Sequence, residues 1–128
     1  MPREELRIAV RCNRHAPQVV RHALEGLPEF ECVPDDALLV ASELVTNAVR
    51  HSRCTEEESL TVCVRCQDDR MGIAVTDPGA SGRRAVVTDR PIECGGVGLK
   101  VVQELSNRWG SERQSDGYEV WAELSLAA

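Results

Sequence analysis

Aromatic side chains are scarce in this sequence: two Trp, one Tyr and one Phe make up 3% of its 128 residues. With so few rings, stacking platforms for the bases of single-stranded nucleic acid are excluded, and the core has to be built from Val, Leu, Ile and Ala. An excess of positive charge is missing too. Fifteen Lys and Arg stand against 21 Asp and Glu, a formal net charge of −6. That balance argues against nucleic acid or an anionic membrane surface as a partner. No apolar run has the length of a membrane span, and the opening Met1-Pro2-Arg3-Glu4-Glu5 does not read as a signal peptide. A cytoplasmic location is expected. Internal repeats, linkers and low-complexity stretches are also absent. The length and a hydrophobic content of 42% fit one domain, residues 1–128, around one core.

Six cysteines are present. Cys63 and Cys66 have the spacing of a redox or metal motif. Their flanks, Leu60-Thr61-Val62 and Val64-Arg65, are strand-like, and residues three apart on a strand point to opposite faces. There is no second pair at that spacing and no nearby pair of His. The cysteines therefore read as reduced and mostly buried.

Hydrophobic periodicity sets out the elements. Leu6, Ile8 and Val10 alternate with polar residues over 4–11, a strand. Residues 16–27 read as a helix, closed by Gly26 and Pro28. Pro34-Asp35-Asp36 opens a longer helix to about Ser52, with acids in the first turn, where the helix dipole favours them. Strands follow at 60–66 and 72–76 around the turn Gln67-Asp68-Asp69-Arg70. Residues 77–95 lack a period and form a long loop, a type of segment that is often functional in compact domains. A third helix is expected over 99–108. The last strands lie at 111–113 and 118–126, turned at Ser115-Asp116-Gly117. This order predicts an α+β fold, a two-layer sandwich with helices on one face of a mainly antiparallel sheet.

Three features carry chemistry. On the second helix, Ala37, Leu38, Ala41, Val45, Ala48, Val49 and Ser52 share one side, while Glu43, Asn47 and His51 recur every four residues on the other. Such a stripe also fits a solvated face, although Asn has poor helix propensity for that role. Asp77-Pro78-Gly79 puts a carboxylate where a strand ends. It can accept a hydrogen bond from a ligand amine such as that of adenine, with Gly79 allowing close approach. The plainer reading is an ordinary turn. Gly95-Gly96-Val97-Gly98-Leu99 opens a helix whose free N–H groups suit phosphate. It is neither a Walker loop nor a dinucleotide fingerprint, since no Gly-Lys-Ser/Thr follows and no parallel βαβ unit surrounds it. Together the three supply a magnesium ligand in the Asn47 carbonyl oxygen, an adenine acceptor, a loop and a phosphate cradle.

At these residues the sequence resembles a known family. Glu43-Leu44-Val45-Thr46-Asn47-Ala48-Val49-Arg50-His51-Ser52 is similar to the asparagine box of the GHKL ATPases. Asp77-Pro78-Gly79 resembles their first glycine box and Gly96-Val97-Gly98-Leu99 their second. Ser42 to Ala48, Arg108-Trp109-Gly110 and Val120-Trp121-Ala122-Glu123-Leu124 resemble the small actinobacterial anti-sigma-factor serine/threonine kinases. The resemblance runs from about residue 6 to the C-terminus, with the boxes in order. It implies a Bergerat-type fold that binds ATP and Mg²⁺. Asn47 would hold Mg²⁺ and Asp77 the adenine amine, with Gly79 beside it. Gly96, Gly98 and Leu99 would form the phosphate-contacting turn. Glu43 would be the catalytic base, although it reads equally well as a helix-face acid that holds a neighbour. The implied activity is transfer of the γ-phosphate to a serine of a STAS-domain anti-anti-sigma factor, together with sequestration of a sigma factor. Family members often pair as homodimers. The alternative is a partner-switching module without kinase activity.

Two departures from the pattern stand out. Ser81 replaces the second glycine of the first box, with Gly82 one residue later. Glu119 stands where a Thr near the adenine is usual, and a carboxylate there would either repel Asp77 or miss the water network around the adenine, weakening ATP binding.

Overall fold

The computed structural model describes residues 3–26, 35–51, 54–78, 97–114 and 117–125. Five strands form one sheet in the order β1-β2-β3-β5-β4: β1 (Arg3–Arg11), β2 (Ser59–Gln67), β3 (Arg70–Asp77), β4 (Arg108–Gln114) and β5 (Gly117–Ser125). Every neighbouring pair is antiparallel. Three helices, α1 (Ala16–Glu25), α2 (Asp35–His51) and α3 (Val97–Leu105), cover one face. Helix α1 lies over β1, α2 over the central β3 and β5, and α3 beside β4. The fold is the expected two-layer α+β sandwich.

Alternation builds the sheet. Val62, Val64, Ile73, Val75, Val120 and Ala122 are buried under the helices, while Arg65, Gly72, Ala74, Glu119 and Trp121 lie on the other, open face. The β2–β3 hairpin closes through Asp68 and Asp69, with Asp68 at φ 57°. Asp adopts this left-handed conformation more readily than most residues. Helix α1 starts where Asn13 Oδ1 accepts the His15 N–H at 2.8 Å. It buries Ala16, Val20 and Leu24 on one stripe and ends as the Gly26 N–H bonds the His22 carbonyl.

Three expectations need correction. The third helix does not reach Arg108. It stops at Leu105, the Asn107 N–H bonds the Glu123 carbonyl at 2.8 Å, and Arg108 already pairs with Glu123 in β4. The buried arc of α2 is also wider than one side. Val40 and Leu44 are as inaccessible as Ala41 and Val45, because α2 sits between α1, α3 and the sheet. Finally, the cysteines are not all reduced. Cys12 and Cys54 form a disulfide, with Cα atoms 6.2 Å apart. Cys63 and Cys66 are not in a disulfide and occupy successive sides of β2, as their strand context implies.

Candidate functional site

Helix α2 presents three flanks. Ala37, Ala41, Val45 and Ala48 share one flank and are buried. Ser42 and Thr46 line a groove against Pro17, Gln18, Arg21 and His22 of α1. One residue further is a rotation of about 100°, which turns Glu43 and Asn47 away from α1. On the helical wheel Val40 and Leu44 lie beside them, and both are fully buried. Glu43 and Asn47 are both half-buried. The stripe is therefore not a fully solvated face. His51 ends the helix.

Asp77 is the last residue of β3, and Pro78, lacking an N–H, cannot extend the ladder. Strand alternation places Asp77 on the same side as Met71, Ile73 and Val75, under the helices. At 4% exposure it is, among the described residues, the one charged side chain in the buried set. Removing a carboxylate from water is costly unless polar partners compensate, and Asp77 does have such an interaction. Opposite it on β5 stands Tyr118, itself 6% exposed, whose hydroxyl donates to Ser111 Oγ at 2.8 Å. Gly117 begins β5 where the chain crosses the Asp77 backbone, and any Cβ there would collide with the Asp77 carbonyl oxygen.

The partner position expected for Glu119 is therefore Tyr118. Glu119 pairs with Thr76, one residue out of phase, and both lie on the open face with Trp121. Glu119 does not share a face with Asp77, and the repulsion expected from the sequence does not arise. Tyr118 and Gly117 had not been singled out. The alternation Tyr118, Val120, Ala122, Leu124 was the signal that could have found the tyrosine.

Among the other candidates, Gly98 lies in the first turn of α3 and Leu99 follows it, half-buried. Gly79 and Gly96 fall outside the described residues, as do Ser81, Gly82 and most of the 77–95 loop. The fold thus brings together the three elements that bear Glu43 and Asn47, Asp77, and Gly98 and Leu99, since α2 packs on both β3 and α3. The donor set fits a nucleotide with a hard cation. It offers an acceptor-only carboxylate in a dry setting, an amide oxygen one helical turn from a second carboxylate, and a helix start. A separate hollow lined by Thr61, Cys63, Ala74, Thr76, Glu119 and Trp121 opens on the far face of the sheet.

A layered α+β sandwich with these boxes defines a nucleotide-handling class, and comparison with known proteins gives the family. The model of the histidine kinase-like ATPase domain matches residues 8–124, and the chain belongs to that family. No curated protein matches the sequence. Among solved structures, the RsbU and RsbW domains of Rv1364c from Mycobacterium tuberculosis superpose with a TM-score of 0.67 at 21% identity. The match covers 95% of this chain and 32% of that one, so this chain spans under a third of the similar protein, and the likeness is one of fold. Among the described residues no helix is long and apolar enough to cross a membrane.

Proposed function

We propose that the chain binds Mg·ATP where α2, β3 and α3 meet, and that it acts as a cytoplasmic anti-sigma-factor kinase. It would phosphorylate a serine of a STAS-domain anti-anti-sigma factor and sequester a sigma factor. The observation that carries this reading is the buried Asp77 carboxylate at the end of a core strand. A membrane or nucleic-acid partner gives no reason to keep a charge there, whereas the amine of adenine does. Membership of the histidine kinase-like ATPase family supports ATP as the ligand, and the structural likeness to a protein with an RsbW domain supports the regulatory setting.

In this reading Asp77 accepts from the adenine amine, with Gly79 beside the base. The Asn47 carbonyl oxygen would hold Mg²⁺, which when bound would screen phosphate charge. Gly96, Gly98 and Leu99 shape the turn at the start of α3 that meets the phosphates. Glu43, one turn before Asn47 on the same flank, orients the serine hydroxyl and takes its proton as the oxygen attacks the γ-phosphorus and ADP leaves.

Two variants test it. Asp77→Asn keeps the shape and an acceptor, so Mg·ATP affinity should fall by roughly 1–3 kcal/mol with an unchanged circular dichroism spectrum. Equal affinity by calorimetry would remove Asp77 from base recognition. Glu43→Gln should bind ATP as the wild type does, yet transfer labelled phosphate to a STAS partner about 10²–10⁴-fold more slowly. Wild-type transfer rates in that variant would make Glu43 structural. Complex formation without transfer by the wild type would leave a partner-switching module.

A further inference from the structure

The Cys12–Cys54 pair lies outside the proposed nucleotide site but is covalently close to it. Cys12 follows the last residue of β1, and Cys54 comes three residues after the end of α2. The turn Thr55–Glu58 before β2 is already tied to Cys12 by a backbone hydrogen bond. The Cys12 N–H donates to the Glu58 carbonyl at 3.0 Å. Glu58 and Thr55 bond reciprocally, Glu58 N–H to the Thr55 carbonyl at 2.9 Å and Thr55 N–H to Glu58 Oε1 at 2.7 Å. This preformed turn holds the two Cα atoms 6.2 Å apart although 42 positions separate them in sequence, a spacing at which a disulfide closes without backbone movement.

In the closed bond the Cys12 sulfur lies 3.6 Å from the Cys54 carbonyl oxygen. The two residues also differ in exposure: Cys12 is 3% exposed, while Cys54 is only half-buried. Cys63 provides the contrast. Burial and a hydrogen bond from its thiol to Glu5 push its pKa up, so it carries less thiolate.

We propose that Cys12 and Cys54 form a reversible thiol–disulfide site that fixes or frees the exit of α2. The co-substrate class is a low-molecular-weight disulfide. The Cys54 thiolate attacks one of its sulfurs and expels the first small thiol. The Cys12 thiolate then attacks the Cys54 sulfur of the mixed disulfide, forming the Cys12–Cys54 bond and expelling the second. The protein dithiol loses two electrons, the small disulfide gains them, and both protons leave on the released thiols. A dithiol reverses the sequence. In a reducing compartment such a bond is transient, which suits a sensor rather than a permanent staple. Asn47 lies seven residues before Cys54. Resting on the nucleotide reading, closing the bond pre-organises the turn of α2 that carries Asn47 and tightens Mg·ATP binding by about 3–10-fold.

The test equilibrates the full chain in buffers of varied glutathione/glutathione-disulfide ratio and then applies differential alkylation with peptide mapping. Cys12 and Cys54 should become protected together, within one molecule, and be released by dithiothreitol, while Cys63 and Cys66 stay alkylatable. Amide hydrogen exchange over residues 44–51 should slow on oxidation, and Cys12→Ser and Cys54→Ser should each abolish that response. A stable glutathione adduct on Cys54 with Cys12 still alkylatable overturns the proposal, as does a bond that leaves exchange in α2 unchanged. Calorimetry with Mg·ATP separates the two layers. Equal affinity of the oxidised and reduced forms overturns the coupling to Asn47. Failure of both forms to bind ATP, with the exchange response intact, overturns the nucleotide reading and leaves the thiol site standing.

Discussion

The two faces of the sheet are built from the same strands but obey different rules. Under the helices, β2, β3 and β5 present Val62, Val64, Ile73, Val75, Val120 and Ala122, all at most 8% exposed, with one carboxylate, Asp77, at the margin. On the open face, β1 and β2 contribute Glu5, Arg7 and Arg65. Glu5 Oε2 lies 3.4 Å from Arg65 Nε and 3.9 Å from Arg7 Nη2. β4 and β5 add Arg108, 3.6 Å from Glu123 and stacked 5.5 Å from the Trp121 ring centroid, above the flat patch left by Gly110. A charge on the open face is cheap because water remains available to it. A charge on the covered face has to be matched by specific partners. A polar residue is therefore informative in proportion to how dry its surroundings are, which makes Asp77 more telling than the several carboxylates across the sheet.

Truncating the covered face should cost most. Ile73 is 1% exposed in the middle of β3, and Ile73→Ala removes buried carbon and leaves a space that helix α2 cannot fully close. We expect a loss of roughly 2–5 kcal/mol in urea unfolding. A loss below about 1 kcal/mol would mean that the helix layer is loosely packed.

The next effect is at the seam where β5 starts. The added methyl of Gly117→Ala meets the Asp77 carbonyl oxygen, a backbone atom that no rotamer change can move aside. The strand ends must separate, at a cost of about 1–3 kcal/mol in stability. Because the displaced segment carries Asp77, ATP affinity should fall as well. A destabilised variant with wild-type affinity would uncouple the seam from the site.

Much of this was legible in the sequence, for reasons that also explain the failures. β1, β2, β3 and β5 each alternate cleanly, since one face is covered and the other wet; Gly26 marks where α1 ends, and the acids of α2 mark where that helix begins. β4 carries no such signal. It is an edge strand whose residues are mostly exposed or half-exposed, and Arg108-Trp109-Gly110 offers no period of two. The helix before it was therefore extended too far. The asparagine box and the two glycine boxes carry the family resemblance through local spacing, and the family holds over residues 8–124. Which residue faces Asp77 depends on register across two strands, and a slip of one position exchanged Tyr118 for Glu119. The Cys12–Cys54 contact spans 42 positions and belongs to tertiary structure alone.

The smallest effect should come from the open face, at Glu5. Its pKa is held below the ordinary value by a hydrogen bond from the Cys63 thiol and then by Arg65. A depressed carboxylate pKa stabilises the fold above the unfolded-state value of 4.5, and that contribution is lost as pH falls through the folded-state pKa. Glu5 is nevertheless exposed, its side chain 41% accessible, so water and salt screen both arginines. Glu5→Gln should therefore melt almost where the wild type does at pH 7, with any difference shrinking further in high salt. The two proteins should converge as the pH falls through the lowered folded-state pKa, because the wild-type side chain then becomes neutral as well. A large gap at pH 7 that survives high salt would show that this face is covered in solution, and the contrast between the two sides of the sheet would no longer hold.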